Sequence, residues 1–198
     1  MSRLKSAKIF SRLDLKSAYH QLELEQASRE ITTFVTHKGL FRYKRLMFGV
    51  NSAPEIFQKI IEGMLSTCQN PLNYIDDIIV FGSCDEDHDE ALKSVLDVLK
   101  KNNVTLNQAK CVWKAKRLMF LGHVLSADGF TADPEKVKVI QQFRAPKSKE
   151  EVRSFLGLVA YIGKFLPDLA DMTAPLRILL TKDGKFEWDR RQEEAFSK

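Results

Sequence analysis

The sequence predicts an α+β protein, an antiparallel sheet backed by helices and followed by a helical tail. Short β-favouring runs bounded by turn residues recur between residues 8 and 125. Two stretches, opening near Pro54 and Asp85, carry apolar residues at helical spacing. Beyond about residue 130 the composition shifts toward helix. Together they spell β-α-β-β-α-β-β-α-β-β with helices on one side of the sheet, then a helical appendage.

Residues 8–15 read as a strand and 16–27 as a turn with a short helix. Thr32–Thr36 and Leu40–Tyr43 flank His37-Lys38-Gly39 and predict a hairpin. Pro54 opens a helix that places Ile56, Phe57, Ile60, Ile61, Met64 and Leu65 on one face. A strand, an Asp-Asp turn and a second strand span 71–82. The acidic run Asp85-Glu86-Asp87-His88-Asp89-Glu90 suits the solvated first turn of a helix, where carboxylates offset the macrodipole. That helix carries Leu92, Val95, Leu96 and Leu99 and ends near Asn102-Asn103. A strand pair broken by Gly122 covers 111–125. Asp133-Pro134 starts a helix over 133–143, and 145–148 reads as a linker. Ser148 with Glu151 spells a capping box for a helix bearing Val152, Phe155, Leu156, Val159 and Ile162, which stops near Pro167.

A chain of 198 residues, 44% hydrophobic and 29% charged, can bury a substantial core. No run approaches the roughly 18 apolar residues of a membrane span. Met1-Ser2-Arg3-Leu4-Lys5 lacks a signal-peptide core, so an intracellular setting is expected. Cys68, Cys84 and Cys111 have neither disulfide-framework nor zinc spacing. The net charge of +5 is compatible with a polyanionic partner without selecting one.

Tyr74-Ile75-Asp76-Asp77 sets two carboxylates inside a β-favouring run that continues through Ile78-Ile79-Val80-Phe81. Unpaired charge is expensive in such surroundings, and a divalent cation is an economical partner. A third acid, Asp14, ends the apolar run Ile9-Phe10-Ser11-Arg12-Leu13 and lies 62 residues before Asp76. Only neighbouring strands can bring them together. Two Mg²⁺ ions about 3.5–4 Å apart would satisfy such a cluster and support phosphoryl transfer. The competing reading of Asp76-Asp77 is an exposed hairpin turn, where Asp is common.

Further motifs carry a resemblance. Phe10 to Gln21, Phe48-Gly49-Val50-Asn51-Ser52-Ala53-Pro54 with Phe57-Gln58, Tyr74 to Asp77, Asn107 to Cys111, and Phe120-Leu121-Gly122-His123 occur in this order. Arg153 to Leu158, Pro175-Leu176 and Phe186-Glu187-Trp188 follow. The chain resembles the reverse transcriptase of gypsy-type LTR retrotransposons nearly end to end. The resemblance implies a polymerase palm over 1–130 with its fingers largely missing, a helical thumb over 131–180, and over 181–198 the start of a connection toward an absent RNase H domain. It implies Asp14, Asp76 and Asp77 as catalytic Mg²⁺ ligands, with Mn²⁺ as a substitute. The resemblance further implies Tyr19 at the steric-gate position, Phe48 and Gly49 lining the nucleotide pocket, Ile75 touching the primer terminus, Lys110 donating a proton to pyrophosphate, and Leu121 and Gly122 forming the primer grip. The expected partners are deoxynucleoside triphosphates and an RNA or DNA template with its primer, the fingers and RNase H regions sitting on a longer polyprotein. The alternative is an inactive remnant that binds nucleic acid or a protein partner.

Met47 replaces the family's usual proline before Phe-Gly. Gly163 stands where the thumb helix commonly has a basic residue, which should weaken that helix. His20, His37, His88 and His123 share no metal-ligand spacing and read as packing or surface residues. Lys114-Ala115-Lys116-Arg117 reads as a solvated edge.

Overall fold

A computed structural model describes residue 4 and residues 6–69, 71–181 and 186–197. Most of the N-terminal pentapeptide and residues 182–185 of the expected connection lie outside the described residues. The chain divides into two compact units, Met1–Leu118 with Leu125–Gly129, and Met119–Val124 with Phe130–Lys198.

In the first unit the chain runs through β1 (Ile9–Asp14), 3₁₀ turns at Ala18–Gln21 and Gln26–Thr32, β2 (Phe34–Thr36), β3 (Gly39–Phe41) and α1 (Ala53–Leu65). β4 (Pro71–Tyr74), β5 (Asp77–Gly82), α2 (Asp85–Lys101), a 3₁₀ turn at Gln108–Lys110 and β6 (Val112–Ala115) follow. The main sheet has the order β4-β5-β1-β6, and its registered pairs are antiparallel. β1 and the Asp-Asp hairpin are therefore adjacent, as the separated acids require. β2 and β3 form their own two-stranded hairpin. The short helix expected in 16–27 is instead two 3₁₀ turns.

Alternation along β1 decides what each face does. Leu13 and Leu15 point into a core with Ile78 and Val80, against Phe57, Ile61 and Leu65 of α1 and Ala91, Val95 and Leu99 of α2. Burying each large side chain of this set contributes about 1.5–3 kcal/mol. Arg12 and Asp14 take the alternate positions on the other face. In α1 the buried stripe is Ala53, Phe57, Ile61 and Leu65, a strict i, i+4 row, while Ile56 is exposed.

A polar ring, buried at Ser11 and His88 and exposed at Asp89 and Lys114, ties three elements together. Ser11 Oγ accepts from the Lys114 amide (3.0 Å) and is hydrogen-bonded to His88 Nε2 (2.9 Å). The Asp89 carboxylate can only accept, so His88 Nδ1 donates to its Oδ1 (3.1 Å), and Lys114 Nζ closes the ring on Asp89 Oδ2 (2.7 Å). The order Ser-His-Asp looks hydrolytic, but Ser11 and His88 are both 0% exposed, so no substrate reaches the hydroxyl. The ring holds α2 and the irregular β1–β6 pairing, where Lys114 has φ 48°. Gly82 makes room for it, since a Cβ there would lie 2.4 Å from the His88 amide nitrogen.

β7 (Arg117–Phe120), β8 (His123–Ser126) and β9 (Gly129–Ala132) make a three-stranded sheet in that order. The expected strand pair over 111–125 is thus three short strands, and β9 was not foreseen. In the second unit α3 (Pro134–Gln141), α4 (Lys149–Ile162), α5 (Leu169–Ile178) and α6 (Arg190–Phe196) follow. Val152, Phe155, Val159, Leu176 and Leu179 form its core. Asp133 caps α3 through the Glu135 amide (2.9 Å). Ser148 caps α4 through the Glu151 amide (3.2 Å), but Glu151 returns to the Lys147 amide (2.7 Å), so only half of the expected box forms. The complete capping box belongs to Asp189 and Gln192 at α6. Gly163 does not interrupt α4: it is the C-cap where the helix ends and a 3₁₀ turn, Gly163–Phe165, begins. No described helix is long and apolar enough to cross a membrane.

Candidate active site

The acidic hairpin is built by a two-residue turn. Tyr74 and Asp77 are register partners, leaving Ile75 and Asp76 as the loop. Ile75 has φ 54°, a left-handed conformation that a β-branched residue rarely adopts. Gln58 of α1 holds it there: its Oε1 accepts from the Ile75 amide (2.6 Å) and its Nε2 donates to the Asn73 carbonyl (3.1 Å). Glu62, one turn along α1, accepts from the same Nε2 (2.7 Å) and fixes the amide's orientation. Strain held by surrounding bonds is a mark of functional positions. Nothing in the sequence read from residues alone singled out Gln58 for this task, because a glutamine on an exposed helix face is ordinary.

Asp14 is held equally closely. Its amide donates to Cys111 Sγ (3.4 Å), its carbonyl accepts from the Asn107 amide (2.9 Å), and the next amide, Leu15, donates to the Asp76 carbonyl (2.9 Å). Gln21 bonds the Lys16 and Thr105 carbonyls (2.7 and 3.0 Å) and accepts from the Thr105 amide (2.7 Å), anchoring the loop that carries Tyr19. The Tyr19 ring lies 5.2 Å from Phe48 and 5.3 Å, edge-on, from Phe57.

Asp14, Tyr19, Phe48, Ile75, Asp76 and Lys110 line one cleft of about 610 Å³, together with Leu15, Lys16, Ser17, Ala18 and Asn107. Six sequence-predicted residues from four separate segments thus share a surface. Asp77 is not among the lining residues. It pairs with Asp14 in register and faces Arg12, whose Nε is 3.9 Å from its carboxylate. Burial pushes the Asp77 carboxyl above its ordinary 3.8; Arg12 opposes this, while the like charges of Asp76 and Asp14 add to it. Gly49 has φ 90° with open space where a Cβ would sit, so its backbone turn, rather than crowding, calls for glycine. Leu121 and Gly122 lie in the second unit, at the β7–β8 turn.

Among the described residues no three His, Cys, Asp or Glu side chains are grouped to hold a metal by themselves. The cleft offers two carboxylates, Asp14 and Asp76. Such a set fits Mg²⁺, which commonly takes one or two protein carboxylates and completes its shell with water and substrate phosphate oxygens.

A family model described as reverse transcriptase (RNA-dependent DNA polymerase) matches residues 1–125. This chain belongs to the reverse transcriptase family. The Transposon Tf2-3 polyprotein of Schizosaccharomyces pombe is 34% identical over 197 residues, and the Tf2-7 polyprotein of the same organism likewise. In both cases the match covers 98% of this chain and 15% of the polyprotein, so the chain spans under a sixth of these relatives' length. Foamy viral protease–reverse transcriptase in complex with double-stranded DNA has a TM-score of 0.84 at 24% identity, covering 96% of this chain and 35% of that one. The same viral protein with an RNA/DNA hybrid gives 0.81 at 23%, covering 98% and 28%. At these identities the likeness establishes the fold: a reverse transcriptase α+β fold, with an antiparallel sheet backed by helices and helices after it.

Proposed function

We propose that this chain is the palm and thumb of an RNA-directed DNA polymerase that adds deoxynucleotides to a primer 3′-hydroxyl. The observation that carries the reading is the cleft in which Asp14 and Asp76, far apart in sequence, meet Tyr19, Phe48, Ile75 and Lys110. Residues 1–130 serve as palm and 131–180 as thumb, parts of a polyprotein of the kind that its relatives are.

In the reaction the primer 3′-hydroxyl gives its proton to solvent as its oxygen bonds the α-phosphorus, the bond to the bridging oxygen breaks, and pyrophosphate leaves. Asp14 and Asp76 would hold Mg²⁺, which when bound lowers the pKa of the 3′-hydroxyl and neutralises charge on the phosphates. Asp77 supports the pair from beside it, its charge balanced by Arg12. Ile75, at the hairpin tip, sets the primer terminus against Asp76. The Tyr19 ring, braced by Phe48 and Phe57, forms a floor under the sugar and leaves no room for a 2′-hydroxyl. Phe48 and Gly49 border the nucleotide. Lys110 faces the phosphates and gives a proton to the departing pyrophosphate. Leu121 and Gly122 hold the primer backbone. Positioning and charge compensation supply most of the rate.

The test is primer extension on a primed RNA template with Mg²⁺. Incorporation by the native chain, abolished in a folded Asp76→Asn variant, supports the reading. Salt-sensitive duplex binding by both forms with incorporation by neither would instead favour the inactive nucleic-acid-binding remnant.

A further inference from the structure

The β7–β8 turn of the second unit is held in a manner that its own sequence does not explain. Leu121 (φ 49°) and Gly122 (φ 73°) are consecutive left-handed residues joining two strands, the pattern of a two-residue hairpin turn that ordinarily takes Asn-Gly. Leucine is a poor occupant of the first position, and Leu121 is 48% exposed, so burial does not compensate. Compensation comes from α4. The Tyr161 hydroxyl donates to the Leu121 carbonyl (3.3 Å) and occupies the space above Gly122, where a Cβ would lie 1.3 Å from that oxygen. Gly122 is therefore required twice, for its backbone angle and for the tyrosine.

Tyr161 is itself fixed. Its ring stacks on His123 (5.6 Å between centroids, 21° between planes), and Lys136 Nζ of α3 sits 4.7 Å from its centroid. His123, 7% exposed, packs edge-on against Phe165 (5.4 Å) in the turn after α4. An aromatic stack rooted in two helices thus ends on one carbonyl at the tip of an exposed turn.

We infer that Tyr161 is a positioning residue that sets the Leu121–Gly122 turn for contact with the sugar-phosphate backbone of a primer strand. The inference deepens the proposed function and rests on its assignment of Leu121 and Gly122 to the primer. Tyr161 touches no reacting atom; it acts through the turn. Removing it should weaken the hold on the primer–template duplex while leaving the chemistry of a bound primer terminus intact.

Tyr161→Phe and Tyr161→Ala are compared with the native chain in steady-state extension of a recessed DNA primer on an RNA template. Their affinity for the same duplex and for a single-stranded oligonucleotide is read by fluorescence anisotropy. The expected result is a KM for primer–template raised about threefold by Tyr161→Phe, the worth of one ordinary hydrogen bond, and about tenfold or more by Tyr161→Ala. Maximal turnover should stay within about twofold, the signature of lost uniform binding. Duplex affinity should fall in step while single-strand affinity does not change. An unchanged KM and duplex affinity in folded Tyr161→Ala overturns the inference, as does a loss equal for duplex and single strand. If the alanine variant fails to fold, the phenylalanine variant decides, and an unchanged KM there overturns it. If the native chain binds duplex but adds no nucleotide, the polymerase reading fails, and the anisotropy comparison alone decides the role of Tyr161.

Discussion

Replacing Gln58 with leucine keeps the side-chain volume but removes both bonds that hold the acidic turn, to the Ile75 amide at 2.6 Å and the Asn73 carbonyl at 3.1 Å. A net contribution of about 0.5–1.5 kcal/mol per hydrogen bond puts the loss near 2 kcal/mol. The left-handed Ile75 adds to the stress, since that conformation costs about 1–2 kcal/mol that the two bonds now offset. The turn should relax, moving Asp76 out of line with Asp14. For a chain of 198 residues, 2 kcal/mol corresponds to a melting temperature lower by about 4–8 °C. If the full amount is also felt in the transition state, turnover falls about thirtyfold. Gln58→Glu is a sharper variant. It can still accept from Ile75, yet it loses the Asn73 bond and sets two carboxylates side by side with Glu62. Calorimetric melting and single-turnover extension with saturating primer–template and nucleotide read both effects. A Gln58→Leu chain that melts and turns over like the native one would refute the view that this glutamine holds the hairpin.

Tyr19→Val should open the cleft floor, so that ribonucleotides are incorporated at least about tenfold more readily relative to deoxynucleotides; competition between the two read on a sequencing gel checks this. Gly82→Ala drives a Cβ into the His88 backbone and should destabilise the chain by about 1–3 kcal/mol in a urea titration. Burial, aided by the Lys164 charge, lowers the His123 pKa below 6.5, so the unfolded chain takes up that proton at a higher pH than the folded one. The resulting stability is present above pH 6.5 and declines as pH falls through and below that value. Urea melts across pH 5–8 should show that slope in the native chain and a shallower one in His123→Asn.

The sheet was legible because its strands announce themselves. Ile78-Ile79-Val80-Phe81 favours strand whatever lies beside it, and Asp14 and Asp76 could share a cleft only if their strands were neighbours, as β1 and β5 are. Helix α2 was legible from its apolar spacing, and the same spacing marks His88 as a core position. His88 falls in the row with Ala91, Val95 and Leu99, and all four are buried. A titratable residue on a core stripe calls for a hydrogen-bond partner, which the fold supplies in Ser11, 77 residues away. Partners at such separations are invisible to local pattern. The motif with Phe57 included Gln58, but its hold on the acidic turn was hidden for the same reason, as was that of Tyr161 on the β7–β8 turn, since each acts on the backbone of a distant turn. Gly163 was misread because a glycine next to a helical run looks interior until the helix end is located, and α4 stops one residue before it. The expected box at Ser148 formed only half because the Lys147 amide captured Glu151 first.

On the proposed function, Asp14 and Asp76 together make this cleft a place for phosphoryl transfer, and a Mn²⁺ titration followed by water-proton relaxation examines that directly. With primer–template and a non-hydrolysable deoxynucleotide present, the native chain should bind Mn²⁺ with an affinity that Asp14→Asn and Asp76→Asn each lower by about tenfold or more. Asp77→Asn, whose carboxylate faces Arg12, should lower it far less. Equal Mn²⁺ affinity in the native chain and in both cleft variants, with all three folded, would contradict the account.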